Sequence, residues 1–157
     1  IEATSLRLEK TAFDLLLAHQ PSSIFISYRR KESSAFALLV LARLKAEGLD
    51  AFVDLALVPG DDWHADLMNK VKMRDYVVLL LAPASLESAV VHDEIKKAVE
   101  TKSTVIPIWH NGFVYDSNYW KGKVPDEVDH LLKGTHAIRV LEESALAYNN
   151  AVVEMLN

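Results

Sequence analysis

YVVLLLAPASLESAVVHDEIKKAVE, residues 76–100, changes its period part-way along. The first six residues form an unbroken apolar run bounded by polar and turn residues, which is how a strand covered on both faces reads. From Ser88 onward Val91, Ile95 and Ala98 recur at helical spacing and make one stripe. A strand buried on both faces followed by an amphipathic helix is the repeating unit of an α/β sheet. One residue fits badly: Glu94 occupies an i+3 place on the stripe. Taken with this helix alone, the simplest reading is an edge residue whose head reaches water, because an ionised side chain is rarely buried without a partner.

The same alternation runs along the chain on both sides of this stretch. Further strands are expected at 24–27 (IFIS), 51–54 (AFVD), 104–108 (TVIPI) and 135–140 (THAIRV). Between them, Ser33 or Ser34 caps a helix whose Phe36, Leu39, Val40 and Leu44 share a face, and Gly48 ends it. Asp61 or Asp62 caps a second helix through Arg74, and Ser85 or Ser88 opens the third. Pro125 or Asp126 starts a short fourth, and Glu142 or Glu143 a last one through Leu156. The order βαβαβαβαβα predicts one α/β domain over 22–157, a doubly wound five-stranded parallel sheet flanked by helices. Residues 1–21 precede it as a helix or linker, with Leu6, Phe13 and Leu17 on one helical row and Pro21 as a stop.

At 157 residues, half of them hydrophobic, the chain suffices for one domain with a real core and is short for two. A net charge of −5 with no lysine and arginine stripe argues against nucleic acid as a partner. With no cysteine there is neither a disulfide framework nor a thiolate metal site, and a reducing compartment, the cytoplasm, is expected. The longest apolar run, 76–84, is far too short to cross a bilayer, so no membrane partner is expected. Because the numbered chain opens on Ile1, it reads as a piece of a longer protein with further domains.

Several chemistries fail on their residues. A phosphoacceptor receiver needs acidic residues after the first strand and an aspartate ending the third, where this chain has SYRR and APAS. Neither GxxxxGK[ST] nor GxGxxG occurs, so both glycine-based phosphate cradles are missing. The six histidines form no HExxH or close ligand pair, and no metal is expected. Ser88, His92 and Asp93 sit close in sequence, but without a strained nucleophile turn Ser88 reads as a cap. Trp63 reads as core. Arg29 and Arg30, at a strand's carboxyl end near a helix start, read either as an anion site for phosphate oxygens or as solvated charge. Two connections are long. The first, 55–62 (LALVPGDD), follows the second strand at its carboxyl end, where open α/β sheets place ligands. The second, 110–123, reads equally as functional or as a tolerated insertion.

Taken in order, IFISYRR, AFVDLALVPGDDW, VVLLLAPASLES, HDEIKKAVE and VIPIW resemble a Toll/interleukin-1 receptor (TIR) domain from Ser22 to the end of the chain. The likeness is greatest to the NAD+-cleaving TIR domains of bacteria and of the animal axon-degeneration NADase, through SYRR, the VHxEI helix and the insertion after the fourth strand. It implies a flavodoxin-like sheet and a BB loop at 55–62, with Leu57, Pro59, Gly60 and Asp61 serving assembly with other TIR domains. It also implies a catalytic glutamate, which the spacing SxxSxxxxxE from Ser85 and Ser88 places at Glu94. Ser27, Tyr28, Arg29, Arg30, Phe52, Ser85 and Ser88 are implied around the same NAD+ pocket. Two positions depart from the pattern: Val90 stands where many relatives carry tryptophan, and the acidic residue after SYRR is Glu32.

The implied activity is cleavage of the nicotinamide–ribose bond of NAD+, giving nicotinamide and ADP-ribose or a cyclic isomer, in immune or cell-death signalling. NAD+ is then substrate and no cofactor is expected. Nicotinamide departs from a pyridinium as a neutral molecule, so the reaction needs no acid and leans on a carboxylate that stabilises an oxocarbenium-like ribose. The alternative is a non-enzymatic TIR scaffold with no use for Glu94. A third reading is a module that binds and reports NAD+ without turnover.

Overall fold

The computed structural model describes residues 22–54 and 63–157. Five strands, β1 (Ser23–Ser27), β2 (Asp50–Val53), β3 (Tyr76–Leu81), β4 (Thr104–Trp109) and β5 (Ile138–Arg139), form one sheet in the order β2-β1-β3-β4-β5. Every pairing is parallel. Among the described residues six helices flank it: α1 (Arg30–Ala46), α2 (Trp63–Lys72), α3 (Ala89–Glu100), α4 (Ser117–Trp120), α5 (Asp126–Gly134) and α6 (Ala145–Leu156). This is the doubly wound, flavodoxin-like arrangement, with a short 3-10 turn, Ser85–Glu87, ahead of α3. Among the described residues no helix is long and apolar enough to cross a membrane.

The run YVVLLL is continuous because both faces of β3 are covered. Val77, Leu79 and Leu81 point to a core shared with Phe25 of β1, Leu67 and Val71 of α2, and Val91, Ile95 and Ala98 of α3. Val78 and Leu80 point to the opposite core with Ile24 and Ile26, packed under Phe36, Val40 and Leu44 of α1 and Ala151 and Val152 of α6. The alternation of side chains across a strand thus splits one apolar run between two helical layers.

Several boundaries differ from expectation. Helix α1 begins at Arg30 with Arg29 as its N-cap and no side-chain cap. Ser33 is buried in the first turn, its hydroxyl 2.7 Å from His110 Nε2, and Ser34 bonds back to the Arg30 carbonyl at 2.5 Å. Helix α2 ends at Lys72 rather than at 74. The last helix is capped by Ser144, which accepts from the Ala147 N–H, so neither Glu142 nor Glu143 opens it. Strand β5 is two residues long where 135–140 was expected: Ile138 and Arg139 pair with Ile108 and Trp109, and the Val140 N–H adds a last bond to the Trp109 carbonyl at 2.8 Å. Gly48 takes φ +76° just past α1, as a left-handed terminator requires. The expected cap at Asp61 or Asp62, the 1–21 segment and the 55–62 loop lie outside the described residues.

The insertion carries structure of its own. Asp116 caps α4 by accepting from the Asn118 and Tyr119 N–H groups. The Tyr115 and Ser117 hydroxyls and the Lys133 ammonium converge on Asp129 of α5, which holds that carboxyl down at about 2 and clasps the insertion to α5.

Candidate functional site

The strand order reverses at β1, so the loops leaving β1 and β3 run in opposite directions and open a crevice at their carboxyl ends. A cleft of about 290 Å³ lies there. The turn after β1 and the first turn of α1 supply Tyr28, Arg29, Arg30 and Lys31. The end of β2 supplies Asp54, and the start of α3 supplies Ser88, Val90, Val91 and Glu94. Phe25, Ile26 and Leu67 make the apolar wall.

Glu94 is 5 % exposed and lies with Val91, Ile95 and Ala98 on the buried face of α3. It is therefore no solvated edge residue. The Ser27 hydroxyl, at the end of β1, donates to Oε2 of Glu94. Burial pushes the Glu94 carboxyl up to about 8, the Ser27 hydrogen bond opposes this, and Asp54 and Asp93 add to the rise. Burial at this position thus disfavours the charged form of Glu94.

The arginines form the rim. Arg30 is exposed and Arg29 half-buried, its guanidinium 3.9 Å from the Glu87 carboxylate. Glu32 accepts the Ala84 N–H with both oxygens, at 3.0 and 3.1 Å, and fixes the first turn of α1 to the turn after β3. The Tyr28 hydroxyl donates to the Asp54 carbonyl at 3.2 Å, and burial pushes its phenol up. The cleft thus combines exposed or half-buried cations, Arg29, Arg30 and Lys31, with the buried carboxyl of Glu94 and the half-buried Asp54.

The structure gathers some of the expected residues and separates others. Tyr28, Arg29, Arg30, Ser88 and Glu94 share the cleft, while Ser27 lies beneath it against Glu94. Ser88 also caps α3, accepting the Val91 N–H at 3.4 Å, and His92 Nε2 donates to the Leu86 carbonyl at 2.6 Å, so the three neighbours Ser88, His92 and Asp93 form no triad. Ser85 is fully buried and accepts the Ala82 N–H at 2.8 Å, closing the turn after β3. Phe52 stacks on Phe25 at 5.9 Å with Lys70 over its ring, so it backs the cleft wall without lining it. Leu57, Pro59, Gly60 and Asp61 lie outside the described residues. Sequence reasoning passed over Asp54, just past the carboxyl end of β2, and Lys31, in the first turn of α1, although both adjoin the switch point. Among the described residues no three His, Asp or Glu side chains converge to hold a metal.

The pattern of the TIR domain family matches residues 24–141, three quarters of the chain. The chain belongs to the TIR domain family. It is 25 % identical over 118 residues to "NAD(+) hydrolase tir-1" of Caenorhabditis elegans, covering 70 % of this chain and 12 % of that protein. It is 29 % identical over 93 residues to "NAD(+) hydrolase sarm1" of Drosophila melanogaster, covering 54 % of this chain and 7 % of that protein. This TIR domain therefore spans only a small part of the length of those relatives. Among solved structures, the RPS4 and RRS1 TIR domain heterodimer superposes with a TM-score of 0.58 at 15 % identity, covering 85 % of this chain and 95 % of that one. At that identity the likeness speaks to the fold, and it agrees with the five-stranded parallel sheet.

Proposed function

We propose that this TIR domain is an NAD+ glycohydrolase in which Glu94 is the catalytic carboxylate. The observation that carries this reading is the cleft's polarity around one buried carboxyl. NAD+ has a cationic pyridinium at one end and an anionic diphosphate in the middle. Glu94 and Asp54 suit the cation, and Arg29, Arg30 and Lys31 suit the phosphates. The relatives named as NAD(+) hydrolases support the same reading.

The chemistry follows from the groups present. The C1′–N bond breaks with its electron pair passing to the ring nitrogen, and nicotinamide leaves neutral. The ribosyl centre gains positive charge, which the ionised Glu94, itself buried, offsets at short range. Water adds to C1′ and gives its proton to solvent, leaving ADP-ribose; capture of C1′ by the adenine of the same molecule gives a cyclic isomer. Incubating the protein with NAD+ and separating the products by chromatography tests the proposal and distinguishes the two outcomes. Absence of nicotinamide release at every protein concentration would overturn it and leave a TIR scaffold, a reading favoured by the heterodimeric neighbour.

Replacing Arg29 and Arg30 together by alanine is expected to lower kcat/KM for NAD+ about tenfold or more, mainly through KM. The thermal midpoint should move little, since the arginines are exposed or half-buried and the ion pair of Arg29 with Glu87 is long. An unchanged kcat/KM would make them ordinary surface charge.

Self-association belongs to the same proposal. Turnover per chain is expected to rise with protein concentration, as the 55–62 loop of one domain completes or orders the site of another. Substituting Pro59 or Gly60 should flatten that rise. A constant turnover across a wide dilution series would mean a self-contained site.

A further inference from the structure

We propose that Ser27 is a positioning residue of this site: its hydroxyl commits Oε2 of Glu94, leaves Oε1 for the substrate, and favours the charged form of the carboxyl over the neutral one. The inference rests on the reading of Glu94 as the group that faces NAD+. Ser27 is the last residue of β1, in register with Leu79 of β3, and it is 0 % exposed. A side chain so placed cannot touch a ligand in the cleft, and it does not line it. Its polar contact reaches across 67 residues of sequence to Glu94. The expected substrate-binding serine is thus a residue that acts through the carboxylate.

The surroundings of Glu94 make this contact necessary. Asp54 from the end of β2 and Asp93 from α3 itself both oppose its ionisation. From α2 the cleft receives Leu67, which is apolar, and Ser88 is engaged with the Val91 N–H. Tyr28 is turned to the Asp54 carbonyl, while the cations of residues 29–31 are exposed or half-buried. Among the described residues, the Ser27 hydroxyl is the group that favours the charged form of Glu94. A hydroxyl is suited to this: it donates to the carboxylate, and its rotor lets it accept instead while the carboxyl is protonated. Without it, burial beside two other carboxylates would keep Glu94 neutral to still higher pH, and a neutral carboxyl cannot offset a ribosyl cation.

The test is Ser27→Ala, with Ser27→Cys as a volume-conserving variant whose thiol is a weak donor. Carbon-13 titration of the glutamate carboxyls, with Glu94→Gln assigning the signal, should find Glu94 titrating about one to two pH units higher in either variant than in wild type. At neutral pH kcat/KM for NAD+ should fall about tenfold or more, and it should recover toward the wild-type value when the pH is raised past the displaced titration. A purely structural serine would lower activity equally at all pH values. That result, or an unmoved Glu94 titration in either folded variant, would overturn the proposal. If wild type itself does not cleave NAD+, the glycohydrolase reading fails, and the titration still decides whether Ser27 sets the state of Glu94.

Discussion

Glu94→Gln is expected to slow nicotinamide release from NAD+ by about a hundredfold or more, equivalent to about 3 kcal/mol of lost transition-state stabilisation. The amide keeps the size of the carboxyl and a hydrogen-bonding contact for Ser27, so the change isolates the charge. The same variant should be more stable than wild type around neutral pH. Glu94 titrates at about 8 in the fold against about 4.5 when unfolded, so its carboxyl favours the folded state fully below the unfolded value. That contribution is lost as pH rises through the folded value, and glutamine, which does not titrate, does not lose it. The difference in thermal midpoint between variant and wild type should be small near pH 4.5, grow toward pH 8 and then level off. Its plateau should be about 5 kcal/mol, or about ten degrees or more. Paired measurements of nicotinamide release and thermal midpoint check both parts. A variant that cleaves NAD+ as fast as wild type would refute the catalytic assignment, and one that is less stable at pH 8 would refute the buried charge.

The architecture was legible because strands buried on both faces and helices with one apolar stripe carry different periods. VVLLL between two polar boundaries admits few readings, and the helix after it shows its face through Val91, Ile95 and Ala98. The errors fall where a partner distant in sequence decides the outcome. Ser33 has the composition of a cap but is taken by His110, 77 residues away, and the chain turns into α1 three residues earlier. The segment 135–140 has strand-like residues, yet in β5 it is Ile138 and Arg139 that pair, with Ile108 and Trp109 of β4.

The site was legible to a lesser degree and for the same reason. Glu94 announced itself as a carboxylate on an apolar stripe, which by local rules belongs in water. What places it inside is the hydroxyl of Ser27 on another strand and the cleft it faces, and neither leaves a mark on the helix's own sequence. Asp54 ends a strand, where its residue type is common, so only the sheet order reveals that it shares a cleft with Glu94.

The pH dependence of NAD+ cleavage provides the second large effect. Because kcat/KM reports the free protein, it should rise with pH as Glu94 ionises, about tenfold per unit on the acid side, and level off above about 8. Between about pH 6 and pH 8 the rise should be about fiftyfold. The kcat profile should bend at lower pH. A bound pyridinium beside the carboxyl favours its charged form, so the complex holds Glu94 ionised under conditions where the free protein does not. NAD+ binding should for that reason expel a proton below about pH 8, visible as a heat of binding that depends on the buffer's ionisation enthalpy. The sign discriminates between mechanisms. A carboxyl working as a general acid would give kcat/KM that falls as pH rises through the same value, whereas a carboxylate that stabilises the ribosyl cation gives one that climbs. A flat profile between about pH 6 and pH 9, in a protein that does cleave NAD+, would mean that Glu94 is not the titrating group on which the reaction depends.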